Sequence, residues 1–162
     1  MKKYTILIPV YNDWESLKKL LNNIDENIND IKDTEFSCVI INDASKNDSF
    51  EIKKFNNINS IEIITMQANR GHARCIAFGL RHLSKNNGLD YLIIMDGDGE
   101  DRPEEIKKLV EKSLAIESFS VVAKRVKRAE GIIFQALYQA HKLITLFFTG
   151  KMINFGNYSC LT

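Results

Sequence analysis

Two kinds of segment alternate along the sequence, and this alternation limits the fold more than any other feature. Short apolar runs rich in β-branched residues have the length of strands and end in polar turn residues. They cover residues 4–10, 36–41, 61–66, 91–95 and 119–123. Between them, apolar residues recur every three or four positions, as on one face of a helix, at 14–28, 71–83, 106–114 and more weakly at 50–55. This order predicts a mostly parallel sheet flanked by helices, with ligands beyond the carboxyl ends of its strands.

Composition and charge narrow the range of partners. The 162 residues suffice for one domain with a buried core, and 22 Lys and Arg nearly balance 21 Asp and Glu. Without a net field we expect no nucleic-acid binding. Cys38, Cys75 and Cys160 lie far apart, which fits neither a disulfide framework nor a zinc site and predicts a reducing, cytoplasmic compartment. No apolar run reaches the roughly 18 residues of a membrane-spanning helix, so we expect none within these residues.

Four carboxylates follow the fourth apolar run within six residues. They are Asp96, Asp98, Glu100 and Asp101. So much like charge favours a bound cation, and Mg²⁺ and Mn²⁺ prefer oxygen ligands and complete their shell with water and phosphate. Gly97 and Gly99 would let the backbone approach a ligand closely. We predict a metal and diphosphate site here; the alternative is a solvated acidic turn that caps the helix beginning near Pro103.

Polar residues also follow the second and third apolar runs. The carboxylate of Asp43 could bind a ribose or a base, although an Asx-turn or a helix cap explains a single Asp as well. The Asn-Arg-Gly-His sequence at 69–72 opens a helix and could hold an anion, but it lacks a full phosphate-loop pattern and helix capping also explains it. His72, His82 and His141 share no ligand-like spacing and are interpreted as surface or core residues.

A basic run and a long apolar segment lie near the end of the sequence. Residues 124–128 carry four Lys or Arg directly after the fifth apolar run. They could bind a phosphorylated acceptor or a leaving diphosphate, or they could form a solvated loop. Residues 131–150 are rich in Ile, Leu and Phe. An apolar helix after a basic cluster can lie on a membrane interface, and packing onto the sheet or onto another chain is the alternative.

Taken in order, six short motifs resemble those of family 2 glycosyltransferases over nearly the whole chain. They are Ile-Pro-Val-Tyr-Asn-Asp at 8–13, Ile-Asn-Asp-Ala-Ser at 41–45, Asn-Arg-Gly at 69–71, Met-Asp-Gly-Asp at 95–98, Pro-Glu at 103–104 and Lys-Arg at 124–125. Residues 155–159 add a resemblance to the branch of dolichyl-phosphate mannose synthases and bacterial polyprenyl-phosphate glycosyltransferases. The resemblance implies an α/β fold of the GT-A (Rossmann-like) type in one domain over 1–162, truncated at its C-terminus relative to the family.

The same resemblance implies roles for individual residues. The donor-binding set is Pro9, Tyr11, Asp13, Ile41, Asp43, Asp96, Gly97 and Asp98. The first five of these would surround the nucleoside, and Asp96 and Gly97 would approach the ribose and diphosphate. Asp98 and Glu100 match positions that reach a metal, Mg²⁺ or Mn²⁺. Arg125 matches a basic residue near the transferred group, so Asp98 and Arg125 are the predicted catalytic residues.

Three residues depart from the family pattern. Asp13 stands where the family usually has Glu, and Asn42 replaces the first Asp of a pair. We expect nucleotide binding to survive both changes. Glu100 stands where this branch commonly has Gln, which adds a negative charge and predicts tighter divalent binding.

These features predict an inverting glycosyltransferase that moves a sugar from a nucleotide-diphosphate sugar to an acceptor. A polyprenyl phosphate is favoured over a glycan hydroxyl, because a hydroxyl needs a carboxylate base and no convincing one follows Arg125. We expect a cytoplasmic protein at the inner face of the plasma membrane, with peripheral membrane contact or a homodimer through the apolar C-terminal segment. The alternative is a non-catalytic nucleotide-binding or interaction module. A response regulator is a further alternative, because it also places Asp residues at the ends of parallel strands. It would need an acidic pair after the first strand, where residues 9–12 read Pro-Val-Tyr-Asn, so the sequence argues against it.

Overall fold

The computed structural model describes residues 1–46, 54–85, 88–116, 119–123, 147 and 156–162. Within these residues the strands are β1 (Lys2–Val10), β2 (Thr34–Asn42), β3 (Ile58–Thr65), β4 (Tyr91–Ile94), β5 (Val121–Val122) and β6 (Ser159–Leu161). The helices are α1 (Trp14–Asn27), α2 (His72–Leu83) and α3 (Ile106–Ala115), the last preceded by a 3₁₀ turn at Pro103–Glu105. The helix predicted at 50–55 falls largely on 47–53, outside the described residues.

The strands form one mixed sheet in the order β3-β2-β1-β4-β6-β5. The β1–β2, β1–β4 and β2–β3 pairs are parallel, as the alternation predicts. The last two strands depart from it, because β6 runs antiparallel to both β4 and β5. The predicted fifth strand shrinks to two residues, and β6 was not predicted at all. The sequence therefore predicts the parallel part of the sheet and misses its antiparallel edge.

Helices cover both faces of this sheet. The apolar faces of α1 and α3 pack on one side in a core that includes Leu20, Ile24 and Leu109. The other side is covered by α2, whose Cys75 and Leu83 pack on the remaining strand residues. At Gly79 an added Cβ would overlap the Leu7 side chain. This glycine lets α2 lie close to the sheet.

A buried carboxylate ties α1 to the start of β3. Asp25 accepts hydrogen bonds from the backbone N–H groups of Asn56, Asn57 and Ile58 at 3.2, 2.7 and 3.0 Å. The Asn57 side chain in turn donates to the Asp25 carbonyl at 2.8 Å. This set of bonds fixes where the third parallel strand enters the sheet.

Candidate active site

A cleft of about 190 Å³ opens at the carboxyl edge of the sheet, between the ends of β1 and β4. The chain order of the strands reverses between these two neighbours, and ligands of open α/β sheets bind at such switch points. The cleft is lined by Pro9, Val10, Tyr11, Asp13, His72, Asp96, Gly97 and Asp98. Six of these eight residues belong to the predicted donor-binding set.

Gly97 brings the two strand ends together. A Cβ at this position would lie 2.7 Å from the Pro9 carbonyl oxygen, closer than real Cβ contacts. Only glycine therefore allows the β4 end to pass the β1 end at this distance. The floor of the cleft depends on this close approach.

The acidic residues after β4 form a closed loop rather than a row of helix caps. Asp101 is 7% exposed and accepts a hydrogen bond from the Asp96 backbone N–H at 2.9 Å. Asp98 accepts from the Glu100 N–H at 2.9 Å, across a turn where Gly99 has φ +82°. The 3₁₀ turn that follows has Arg102 at its N-cap and no side-chain cap. Asp101 thus closes the loop, while Asp96 and Asp98 line the cleft.

Asp96 carries an acceptor atom that no described residue satisfies. Its Oδ1 is buried and has no hydrogen-bond partner within the described parts of the chain. His72 Nε2 lies 3.2 Å away, and the same nitrogen is 2.9 Å from Asn157 Nδ2. Where the Asn157 amide N–H donates to Nε2, that nitrogen is an acceptor and has no proton for Asp96. A buried oxygen of this kind favours a ligand that brings a hydrogen-bond donor or a cation.

Asp43 lies at 3% exposure behind the cleft and holds the loop that precedes α2. Its two oxygens accept hydrogen bonds from the N–H groups of Arg70 and Gly71, at 2.7 and 2.8 Å. Burial alone would raise the pKa of this carboxyl, but these two bonds and one from the Cys75 thiol outweigh it and hold the pKa below its usual value. Gly71, at φ +87°, makes the turn possible. These bonds reach 27 and 28 residues along the chain, so they form neither an Asx-turn nor a cap of α2, and the ligand role of Asp43 stays a prediction.

Asp13 and Asn12 shape the rim beside β1. Asp13 is the N-cap of α1 and accepts from the Ser16 N–H at 3.1 Å, while its side chain also lines the cleft. Asn12, at φ +55°, donates its backbone N–H to Ser45 Oγ at 2.8 Å, and its Oδ1 accepts from the Lys46 N–H at 2.8 Å. The loops after β1 and β2 are therefore clasped together.

Three further predicted site residues are not among those that line the cleft in the described structure: Ile41, Glu100 and Arg125. The Ile41 side chain is 0% exposed and packs with Leu7 under α2, so it does not reach the cleft, and the predicted place of Ile41 beside the nucleoside stays a prediction. Glu100 lies on the exposed part of the acidic loop and does not line the cleft. Arg125, with the rest of 124–128 and the apolar segment 131–150 apart from Phe147, lies outside the described residues.

The donor set of the loop fits a hard divalent cation held together with a phosphate. In the described ranges, no three His, Cys, Asp or Glu side chains group closely enough to hold a metal by themselves. Magnesium takes one or two protein carboxylates and fills its shell from water and substrate phosphate. Asp98, which lines the cleft together with Asp96 and its unsatisfied oxygen, supplies such a carboxylate.

Comparison with known proteins decides the family. The profile described as Glycosyl transferase family 2 matches residues 5–161. The chain belongs to glycosyl transferase family 2. An undecaprenyl-phosphate 4-deoxy-4-formamido-L-arabinose transferase from Salmonella choleraesuis is 31% identical over 167 aligned positions, which cover 99% of this chain and 48% of that protein. The chain thus spans about half the length of this curated relative.

Solved structures agree with the GT-A fold of this family 2 glycosyltransferase. TarS of S. aureus in complex with UDP is similar with a TM-score of 0.59 and 20% identity, over 82% of this chain and 38% of that one. A mannosyltransferase from Pyrobaculum calidifontis, in complex with GDP-Man and Mn²⁺, is similar with a TM-score of 0.52 and 18% identity, over 75% and 35% of the two chains. These likenesses confirm the predicted fold class.

Two residues of this family 2 site escaped the sequence analysis. His72 was interpreted as a surface or core histidine, and it is half-exposed, but it lines the cleft against Asp96. Asn157 reaches it from the segment before β6. The signal available was position alone, since His72 begins the helix after β3.

In the described part of the chain, no helix is long and apolar enough to cross a membrane.

Proposed function

We propose that this chain is the donor-binding, catalytic domain of an inverting glycosyltransferase that moves a sugar from a nucleotide-diphosphate sugar to a polyprenyl phosphate. The cleft at the β1/β4 switch point carries the proposal, because it combines an apolar wall with carboxylates at one edge of a parallel sheet. The donor-binding residues are Pro9, Tyr11, Asp13, Asp96, Gly97 and Asp98, with Asp43 holding the loop behind them.

The nucleoside lies along the β1 side of the cleft. Tyr11 is 44% exposed there and offers a ring face to a base or ribose, beside the carboxylate of Asp13. The unsatisfied Oδ1 of Asp96 accepts a hydrogen bond from a ribose hydroxyl on the opposite side. Ile41 is left out of this set, because its side chain is buried beneath α2.

Asp98 and Glu100 would hold Mg²⁺ or Mn²⁺ at this edge of the sheet, together with the donor diphosphate. When bound, the cation supplies positive charge against the leaving diphosphate. The mannosyltransferase from Pyrobaculum calidifontis, which has the same fold, was solved with GDP-Man and Mn²⁺, and this complex supports a divalent ion. Asp98 holds its place through the hydrogen bond from the Glu100 N–H, which fixes the turn of the acidic loop.

The acceptor is a lipid phosphate. The curated relative is named for transfer involving undecaprenyl phosphate, and that name is the main support. A phosphate oxygen is ionised near neutral pH and needs no strong general base, and Arg125 orients it through a bidentate contact. The oxygen forms a bond to the anomeric carbon as the bond to the nucleoside diphosphate breaks. A glycan hydroxyl is the alternative acceptor.

The acceptor assignment sets the location. We place the protein at the inner, cytoplasmic face of the plasma membrane, with the segment 131–150 making peripheral membrane contact or a homodimer contact. Residues 1–162 act as a single GT-A domain that binds the sugar donor, and they match 48% of the length of the curated relative.

A lipid-transfer assay tests this function. The chain is incubated with Mn²⁺, undecaprenyl phosphate and radiolabelled UDP- or GDP-sugars, and labelled lipid is extracted. We expect labelled lipid from one donor, loss of the signal with EDTA, and loss in Asp98→Ala. The matched control is Glu62→Ala, which removes an exposed carboxylate on β3 and should leave the signal unchanged.

Two results would contradict the proposal. Label appearing on a free glycan but never on the lipid phosphate would show that the acceptor is a hydroxyl. Tight binding of a nucleotide-sugar with no transfer to either acceptor would favour the non-catalytic nucleotide-binding module.

A further inference from the structure

Asn157, just before the C-terminal strand β6, connects to the donor site through His72 and Asp96. We call these three residues the relay. Asn157 Nδ2 lies 2.9 Å from His72 Nε2, and that nitrogen lies 3.2 Å from Asp96 Oδ1. His72 is the first residue of α2, Asp96 lies two residues after the end of β4, and Asn157 lies two residues before β6. Three distant parts of the sequence therefore meet at one ring nitrogen, beside the cleft.

One ring nitrogen cannot serve both neighbours. Nε2 either accepts from the Asn157 amide, with the ring proton on Nδ1, or carries a proton and donates it to Asp96. In the first arrangement Asp96 Oδ1 is buried and receives no hydrogen bond from the described residues, which is what the structure has. The second would fill that oxygen from inside the protein. In the second arrangement His72 competes with a ligand hydroxyl or cation for Oδ1, which binds such a ligand better in the first.

We propose that Asn157 is a positioning residue that occupies His72 Nε2 and so keeps Asp96 Oδ1 open for the nucleotide donor. This inference rests on the proposed function, because it assigns Asp96 to donor binding. It adds a role for two residues outside the predicted donor-binding set. It also makes the C-terminal strand a determinant of donor affinity, although that strand contributes no lining residue to the cleft.

The surrounding structure holds Asn157 at this point. The next residue, Tyr158, is 5% exposed and its hydroxyl donates to the Arg102 carbonyl at 3.0 Å. Ser159 Oγ donates to the Asn157 carbonyl at 2.9 Å, and β6 then pairs with β4, the strand that leads to Asp96. The amide is therefore anchored on the same strand pair as the carboxylate it influences.

The relay predicts a specific non-additivity. In Asn157→Ala, Nε2 is free to carry a proton and to donate it to Asp96 Oδ1. The nucleotide must then compete with His72 for that oxygen, so the affinity for the nucleotide falls in proportion to the fraction of molecules in which His72 occupies it. In His72→Ala there is no competitor, so removing Asn157 should change little. Two residues that act through separate contacts would instead give additive effects.

Calorimetric titration with UDP and with GDP, in Mn²⁺, measures this coupling in the wild type, Asn157→Ala, His72→Ala and the double variant. We expect Asn157→Ala to raise Kd about tenfold when His72 is present and about twofold or less when it is absent. His82→Ala is the matched control, since His82 lies on the same helix, 3.5 Å from Glu62 and away from the cleft. It should leave Kd unchanged.

A second readout needs no nucleotide. The ¹⁵N shifts of the His72 ring should report the tautomer with the proton on Nδ1 in the wild type and a shift towards the Nε2 tautomer in Asn157→Ala. Asn157→Ser serves in its place if the alanine variant unfolds at a lower temperature than the wild type. The ring measurement therefore tests the relay in whichever variant retains the fold.

Different outcomes overturn different claims. An equal rise in Kd with and without His72, no rise in either background, or an Nε2 tautomer in the wild type would overturn the relay and leave the proposed function standing. Failure of the wild type to bind UDP or GDP, with a normal thermal transition, would overturn donor binding and the relay with it.

Discussion

Asp43 shows how one buried carboxylate can support a site by holding its backbone. The sequence leaves two interpretations open for it, a ligand contact or a turn. In the structure both oxygens accept backbone N–H groups of the loop at Arg70 and Gly71. That loop carries His72 into the cleft. Asp43 therefore acts on the site through the conformation of the loop.

Replacing Asp43 with Asn should destabilise the fold in a pH-dependent way. An amide group keeps one acceptor and turns its NH₂ towards a backbone N–H, so we expect a loss of roughly 1–3 kcal/mol at neutral pH. Because the folded pKa of Asp43 is lowered, its stabilisation is fully present above the unfolded pKa of about 3.9 and is lost as pH falls through the folded value. Urea unfolding of both proteins should show a gap that narrows below about pH 4. A gap that stays constant down to acid pH would contradict this role.

Gly97 allows a second prediction at the scale of one residue. In Gly97→Ala the new Cβ meets the Pro9 carbonyl, so the ends of β1 and β4 must separate. We expect a loss of about 1–3 kcal/mol in urea unfolding and weaker nucleotide binding. Gly88→Ala is the control, because a Cβ there meets nothing within 4 Å. Equal behaviour of the two variants would show that the close approach has no consequence.

At this scale the sequence predicts residue types better than contacts. Asp96, Gly97 and Asp98 follow a clear apolar strand, so their place at its carboxyl end is readable from the chain. His72 is not, because its partners Asp96 and Asn157 lie 24 and 85 residues away in sequence. For Ile41 the sequence predicts the position in the strand but not the direction of the side chain. The family resemblance assigns a role to position 41, but only the fold shows that the Ile41 side chain is buried under α2.

Among the elements, the long apolar strands were predictable and the short antiparallel ones were not. The strands β1 and β2 have nine residues each and bury five successive positions at their carboxyl ends, which produces the continuous apolar runs of a parallel sheet. The strand β6 has only three residues, Ser159–Leu161, which are too few to show a strand pattern in the sequence. It forms a strand because it pairs with β4. Tertiary pairing decides that edge of the sheet.

The entry of β3 into the sheet depends on Asp25 of α1. In Asp25→Ala three backbone N–H groups lose their acceptor, so we expect a loss of roughly 2–3 kcal/mol in urea unfolding. Asp30→Ala is the control, because Asp30 is exposed and pairs only across the surface with Lys107 at 2.8 Å. If both variants unfold at the same denaturant concentration, Asp25 does not anchor the strand.

For the whole molecule, topology assembles what the sequence separates. The cleft brings together residues near positions 10, 72 and 97, because β1, the helix after β3 and the end of β4 all open on one edge of the sheet. Lys and Arg nearly balance Asp and Glu over the chain, so the charge that matters is local to the acidic loop. The strand alternation made this edge predictable, while the detailed shape of the cleft required the fold.

The central claim is that this cleft binds a nucleotide diphosphate together with a divalent cation. Calorimetric titration of the wild type and of Asp98→Ala with UDP and GDP, in Mn²⁺ and in EDTA, tests it most directly. The account predicts that one nucleotide binds the wild type in Mn²⁺, and that EDTA or the loss of Asp98 weakens binding at least about tenfold. Binding that is equally tight in EDTA and in Asp98→Ala would contradict the account.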